Sequence, residues 1–235
     1  MTSSAKLPVV ILGGFLSPGK LYSSMKTVLQ VCSGREICVV DTHLYNYIAM
    51  ITTPGWRIIL DKLDRTVRKV LLHSEQGKII LIGHSQGGVL ARLYLSSEPF
   101  FGRNYNGSEH VARLVTLGSP HNNLGGIDRG GPMSRWIDQR VPGAYYSPQI
   151  SYISVAGKYR QGKSSGTKQE RFSARVYKQI CGDAGAWGDV ITPVSSALLD
   201  GSEHVVLEGV SHYSIFGEPW YGSEAIVSEW CRYLE

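Results

Sequence analysis

Four apolar residues in an unbroken run, Val9-Val10-Ile11-Leu12, lead into Gly13-Gly14 near the start of the chain. A run with no polar alternation suits a strand buried on both faces, as in a parallel sheet. The pattern returns at Ile37-Cys38-Val39-Val40 before Asp41, and at Ile79-Ile80-Leu81-Ile82 before Gly83. Residues 111–117, 150–156 and 205–207 supply a fourth, fifth and sixth strand. Helical periods lie between them. Residues 56–72 set Ile59, Leu60, Leu63, Val67 and Val70 on one face, with Asp61, Lys62, Arg65, Arg68 and Lys69 largely opposite. Residues 86–95 read as a short helix rich in small side chains, and residues 223–234 close the chain with Ile226, Val227, Trp230 and Leu234. This alternation predicts α/β architecture: a mostly parallel central sheet flanked by helices, in one domain over residues 1–235. Two stretches break it and are expected to leave the sheet. Residues 42–55 are rich in Tyr, Ile, Met and Thr, and residues 156–178 are polar and basic.

The third apolar run ends in Gly83-His84-Ser85-Gln86-Gly87-Gly88 and passes into a helix. That is G-x-S-x-G in a strand–turn–helix setting. A serine hydroxyl is a poor nucleophile unless it stands exposed beside a base. A sharp turn at Ser85 would lift it above the sheet. A Cβ at residue 83 or 87 would crowd such a turn, and Gly88 would let the helix pack closely. The helix start would also offer the Gln86 backbone N–H to an oxyanion.

GHSQGG, the Gly-Gly-Phe after the first strand and Thr116-Leu117-Gly118-Ser119-Pro120-His121 after the fourth together resemble the α/β-hydrolase superfamily. Within it they are similar to lipases, esterases and inositol-deacylase-like hydrolases. The resemblance runs from about residue 7 to residue 234 and implies the order serine, acid, histidine. For the base it implies His212, in Gly209-Val210-Ser211-His212-Tyr213 just after the last strand; His204 opens that strand, at the wrong end of the sheet. For the acid it implies Asp189, in Gly188-Asp189-Val190-Ile191-Thr192-Pro193, with Asp183 and Asp200 as competitors set in turns. For the oxyanion hole it implies the main chain of Phe15 and Gln86. Gly13 stands where the family often carries His.

A rival reading starts from Gly14-Phe15-Leu16-Ser17-Pro18-Gly19-Lys20-Leu21, one residue short of the phosphate loop G-x-x-x-x-G-K-[ST]. Leu21 has no hydroxyl for Mg²⁺, and Pro18 removes an N–H from a loop meant to present N–H groups. A non-catalytic binding protein on the same fold is the other alternative, and an intact Ser, Asp and His set argues against it.

Apolar residues at 43% and charged residues at 18% exclude global disorder. A net charge of +5 falls short of a dedicated nucleic-acid binder, so no nucleic-acid partner is expected. Nothing in the motifs calls for a metal or an organic cofactor. Cys32, Cys38, Cys181 and Cys231 form no CxxC pair, and free buried thiols in a reducing compartment are expected. The apolar run at residues 7–12 contains Pro8 and is too short for a signal peptide. No run approaches the roughly eighteen apolar residues of a membrane span. A cytoplasmic or stromal protein is expected, soluble or peripherally bound to membranes. Leu44-Tyr45-Asn46-Tyr47-Ile48-Ala49-Met50-Ile51 could pack in the core or wall an acyl chain. Seven basic residues between 158 and 178, against Glu170 alone, could form a solvated loop or attract an anionic surface. Together these favour a lipid acyl ester as substrate, with a small soluble ester or a thioester left open.

Overall fold

The computed structural model describes residues 6–48, 55–122 and 131–235. In chain order the elements are β1 (Val9–Leu12), α1 (Ser23–Ser33), β2 (Ile37–Val39), α2 (Leu44–Ile48), α3 (Gly55–Leu71), β3 (Ile79–His84), α4 (Gln86–Leu95) and β4 (Val111–Leu117). There follow α5 (Gly131–Arg140), β5 (Ser151–Lys158), β6 (Arg160–Gln161), α6 (Lys168–Cys181), β7 (Trp187–Gly188), α7 (Val194–Ala197), β8 (Glu203–Glu208) and α8 (Glu224–Trp230). Six strands form one sheet in the order β2-β1-β3-β4-β5-β8, and every neighbouring pair is parallel.

The unbroken apolar runs are explained by two cores, one on each face of this sheet. Val10, Leu12, Ile79 and Leu81 pack with Ile59, Leu63 and Val67 of α3 and Val89 and Leu90 of α4. Val9, Ile11, Ile80 and Ile82 pack with Met25 and Leu29 of α1 and Ile226 and Trp230 of α8. Edge strand β8 shows the opposite pattern: Val205 and Leu207 are buried, while Val206 between them and Glu203, His204 and Glu208 on either side are exposed. From β1 the chain moves outward to β2 and then returns to the other side of β1 as β3. The ends of β1 and β3 therefore meet at a switch point, where adjacent loops diverge and leave a crevice. The register puts Leu12 beside Gly83, and His84 beside Leu117, so these strands end level with one another.

Three features depart from the sequence reading. The basic stretch is in part a helix. Thr167 and Glu170 cap α6 reciprocally: the Thr167 N–H donates to the Glu170 carboxylate at 2.7 Å, and the Glu170 N–H donates to Thr167 Oγ1 at 3.3 Å. Of the other irregular stretch, residues 44–48 form α2, with Leu44 and Tyr45 exposed, and residues 49–54 lie outside the described residues. The third departure corrects the expectation of four free thiols. Packing of α1 against α8 and the 231–234 turn joins Cys32 to Cys231 in a disulfide across 199 residues, and Cys38 and Cys181 stay free. No local motif marks such a pair, because it is made by the meeting of two distant helices. Among the described residues no helix is long and apolar enough to cross a membrane.

Candidate active site

Ser85 caps α4 with φ 54° and ψ −130°, a conformation that side chains rarely adopt. The glycines around it make the turn possible. A Cβ on Gly83 would lie 2.5 Å from the Gly88 Cα, one on Gly87 would strike the Leu12 carbonyl oxygen, and one on Gly88 would strike the Ser119 hydroxyl. The Ser85 N–H donates to the Leu117 carbonyl at 2.8 Å, which anchors the turn to β4.

Ser85 Oγ lies 2.9 Å from His212 Nε2, and His212 Nδ1 lies 2.7 Å from Asp189 Oδ2. Asp189 follows β7 and His212 follows β8; both are buried, and the His212 N–H donates to the Asp189 carbonyl at 2.8 Å. A buried carboxylate needs donors, and four converge on this one. Oδ1 accepts from the Ile191 N–H at 3.0 Å and the Thr192 N–H at 2.7 Å. Oδ2 accepts from the Tyr221 hydroxyl at 2.9 Å as well as from His212. The Tyr221 hydroxyl accepts in turn from the Gly157 N–H at 2.7 Å. Burial first, and then the Asp189 charge, raise this phenol well above its ordinary range, so it stays a donor. Val190 holds φ 94° beside the acid. Its N–H donates to the Tyr177 hydroxyl at 2.8 Å, and its carbonyl accepts from Ser173 Oγ at 3.2 Å. A carboxylate at Nδ1 keeps the proton there and leaves Nε2 free to accept the proton of the serine.

The competing residues lie elsewhere. Asp183 is exposed and accepts from the Gly185 N–H at 2.7 Å in a turn. Asp200 is exposed beside Gly201, which has φ 78°. His204 Nε2 sits 2.9 Å from the Leu199 carbonyl at the start of β8. His121 is buried, with Nε2 3.0 Å from Thr116 Oγ1. Gln86 follows Ser85 and opens α4, and Gly14, the residue before Phe15, comes so close that a Cβ on it would lie 2.7 Å from the Ser85 Cβ.

Several neighbours of the site are given no role by the sequence reading. His84, Tyr213 and Tyr221 cluster about His212, with Tyr22 behind His84: the rings of His84 and His212 stand 4.9 Å apart, and His84 Nδ1 is 2.8 Å from the Tyr22 hydroxyl. Burial, and then the neighbouring His212, hold His84 well below the usual histidine range. Exposed Phe15 (44%), Leu16 (50%) and Ile215 (80%) lie on the segments that carry Ser85's neighbours and His212.

The sequence profile of a family described as alpha/beta hydrolase fold matches residues 8–150. No curated protein matches the chain in sequence. Among solved structures, a candidate cell surface hydrolase from Lactobacillus plantarum WCFS1 is similar with a TM-score of 0.56 at 13% identity, over 99% of this chain and 92% of that one. The thioesterase domain from the curacin biosynthetic pathway gives 0.50 at 13% identity, over 98% of this chain and 92% of that one. Lipase B from Aspergillus fumigatus gives 0.50 at 11% identity, over 85% of this chain but 44% of the lipase. At these identities the likeness is one of fold.

Proposed function

The chain belongs to the alpha/beta hydrolase fold family, and we propose that it hydrolyses a carboxylic ester through an acyl-enzyme on Ser85. The observation that carries this reading is the continuous line from Ser85 Oγ through His212 to Asp189, at 2.9 and 2.7 Å, beside a strained strand–helix turn. In the reaction His212 Nε2 takes the Ser85 proton as Oγ attacks the ester carbonyl. Asp189 stabilises the imidazolium, and the Phe15 and Gln86 N–H groups face the oxyanion. His212 then protonates the departing alkoxide. A water, deprotonated by His212 in its turn, attacks the acyl carbon and releases the acid with Ser85 restored.

Two observations favour a lipid acyl ester over a small soluble one. Apolar Phe15, Leu16 and Ile215 stand in solvent on the segments that form the site. The basic helix α6 adjoins the Ile215 segment: Gln169 Nε2 donates to the Phe216 carbonyl at 2.5 Å, and the Phe172 ring stacks on Phe216 at 6.3 Å. Lys168, Arg171, Arg175 and Lys178 of α6 are exposed, and such a face draws in an anionic lipid surface.

A fluorophosphonate probe followed by a series of acyl esters tests this. One equivalent of probe should bind, and Ser85→Ala should abolish it; labelling that survives the change refutes the assignment. Turnover should rise with acyl length and with added anionic vesicles. A preference for short acyl groups that is indifferent to vesicles would replace the lipid with a small ester or thioester.

A further inference from the structure

Two phenols outside the Ser85–His212–Asp189 line hold the turn that follows β1. The Tyr213 hydroxyl lies 2.5 Å from Ser17 Oγ, and a Cβ on Gly14 would come within 2.7 Å of that hydroxyl and of the Ser85 Cβ alike. Tyr22 is fully buried and approaches from within the fold: its hydroxyl accepts from the Gly14 N–H at 3.0 Å and lies 2.8 Å from His84 Nδ1. Its ring fills the space beside Gly13, where an added Cβ would sit 2.6 Å from Tyr22 Cε2. The turn between them is tight and strained. Leu16 has φ 56°, the Ser17 N–H donates to the Gly14 carbonyl at 3.2 Å, and Ser17 Oγ donates to the Phe15 carbonyl at 3.3 Å.

The donors and acceptors fix a direction along these groups. Ser17 gives its proton to the Phe15 carbonyl, so it accepts the proton of Tyr213. Burial, the first cause for each, raises both phenols, so they stay protonated. The Tyr22 hydroxyl accepts from the Gly14 N–H and pairs with His84 Nδ1. His84 Nε2 is buried and without a partner among the described residues. Tyr213 through Ser17, and Tyr22 through the Gly14 N–H, therefore hold the same turn from two sides.

We propose that Tyr213 is a positioning residue of the oxyanion site: through Ser17 it fixes the Gly14–Ser17 turn against Ser85 and so sets the place of the Phe15 N–H before substrate arrives. This rests on the ester-hydrolase reading above. Loss of one oxyanion donor slows catalysis by about 100- to 1000-fold, and an ill-placed donor retains part of its effect.

Tyr213→Phe keeps the ring and deletes the hydroxyl. In the full chain it should lower kcat about 10- to 100-fold with KM within about 2-fold. Binding of a trifluoromethyl ketone, which forms a tetrahedral oxyanion on serine, should weaken in proportion to kcat/KM. Fluorophosphonate labelling of Ser85 should still reach one equivalent. Tyr22→Phe, which leaves the Gly14 N–H of the same turn without its acceptor, should act alike, and the double variant should lose less than the two single effects combined, because both phenols hold one turn. Wild-type kcat in Tyr213→Phe overturns the proposal. So does a fall in melting temperature with no change in the ratio of ketone affinity to KM, which would mark a merely structural hydroxyl. If the wild-type protein neither labels nor turns over ester, the ester-hydrolase reading falls, and the proposal with it.

Discussion

Replacing Asp189 by Asn changes one atom, and the surrounding hydrogen bonds decide how the site responds. Oδ1 accepts from two backbone N–H groups, at Ile191 and Thr192, while Oδ2 faces the Tyr221 hydroxyl and His212 Nδ1. An amide must put its oxygen on one side and its NH₂ on the other. Backbone N–H groups can neither rotate away nor change tautomer. Turning the NH₂ toward them would leave two buried donors unpaired, at about 1–3 kcal/mol each. The amide oxygen therefore takes the Oδ1 place, favoured by about 2–6 kcal/mol. The NH₂ then faces Tyr221 and His212, both of which can become acceptors. For His212 this moves the proton from Nδ1 to Nε2, the nitrogen that must accept from Ser85. Asp189→Asn should therefore fold with a cooperative melt and lose about four orders of magnitude in kcat. Steady-state turnover of an acyl ester, beside Asp183→Asn and Asp200→Asn as controls, measures it. Activity of Asp189→Asn within tenfold of wild type would refute the tautomer argument, and a thousandfold loss in either control would move the acid elsewhere.

Two further outcomes concern stability. Closing about 200 residues with the Cys32–Cys231 bond removes about 5 kcal/mol of unfolded-state entropy in the chain-loop model. Reductant, or Cys32→Ser, should therefore lower the urea midpoint, and equal midpoints would show that the pair is unbridged. His84 and His121 are buried and held well below the usual histidine range, by desolvation first in each case. Below about pH 6.5 the unfolded chain binds protons there that the native state refuses, so stability falls as pH falls, by about 1.4 kcal/mol per unit for each. Denaturant melts between pH 7 and 5 should show this, His121→Gln should remove about half the slope, and a flat profile would contradict neutral burial.

The elements that read clearly in the sequence are those with a local cause. Residues 9–12 and 79–82 lack polar alternation because helices cover both faces of β1 and β3. Ser85 stands out because its turn demands glycines at 83, 87 and 88, each pressed against a neighbour. Asp189 and His212 are reached only through the family resemblance and its chain order, since their place depends on how β7 and β8 end. Helix α6 is hard to read although Thr167-Lys168-Gln169-Glu170 spells its cap, because its buried stripe of Ser173, Ala174, Tyr177 and Ile180 is half made of small residues. Helix α1 hides likewise, with only Met25, Leu29 and Ser33 buried. The supporting phenols leave no trace in sequence: Tyr213 meets Ser17 across 196 positions, and a lone tyrosine is part of no motif.

Leu16, Ser85 and Val190 all hold positive φ without being glycine, and each lies on a different segment that carries or adjoins the Ser85–His212–Asp189 line. Such conformations cost on the order of 1–3 kcal/mol apiece, a sizeable share of the roughly 5–15 kcal/mol by which domains are stable. The rest of the fold supplies what these three positions withhold. Relaxing the turn at Leu16 would therefore firm the fold and loosen Phe15 together. Under the proposed hydrolase reading stability and activity are opposed at these residues, and a thermostable variant that keeps its turnover would gain its firmness away from them, as in the two cores or at the helix caps.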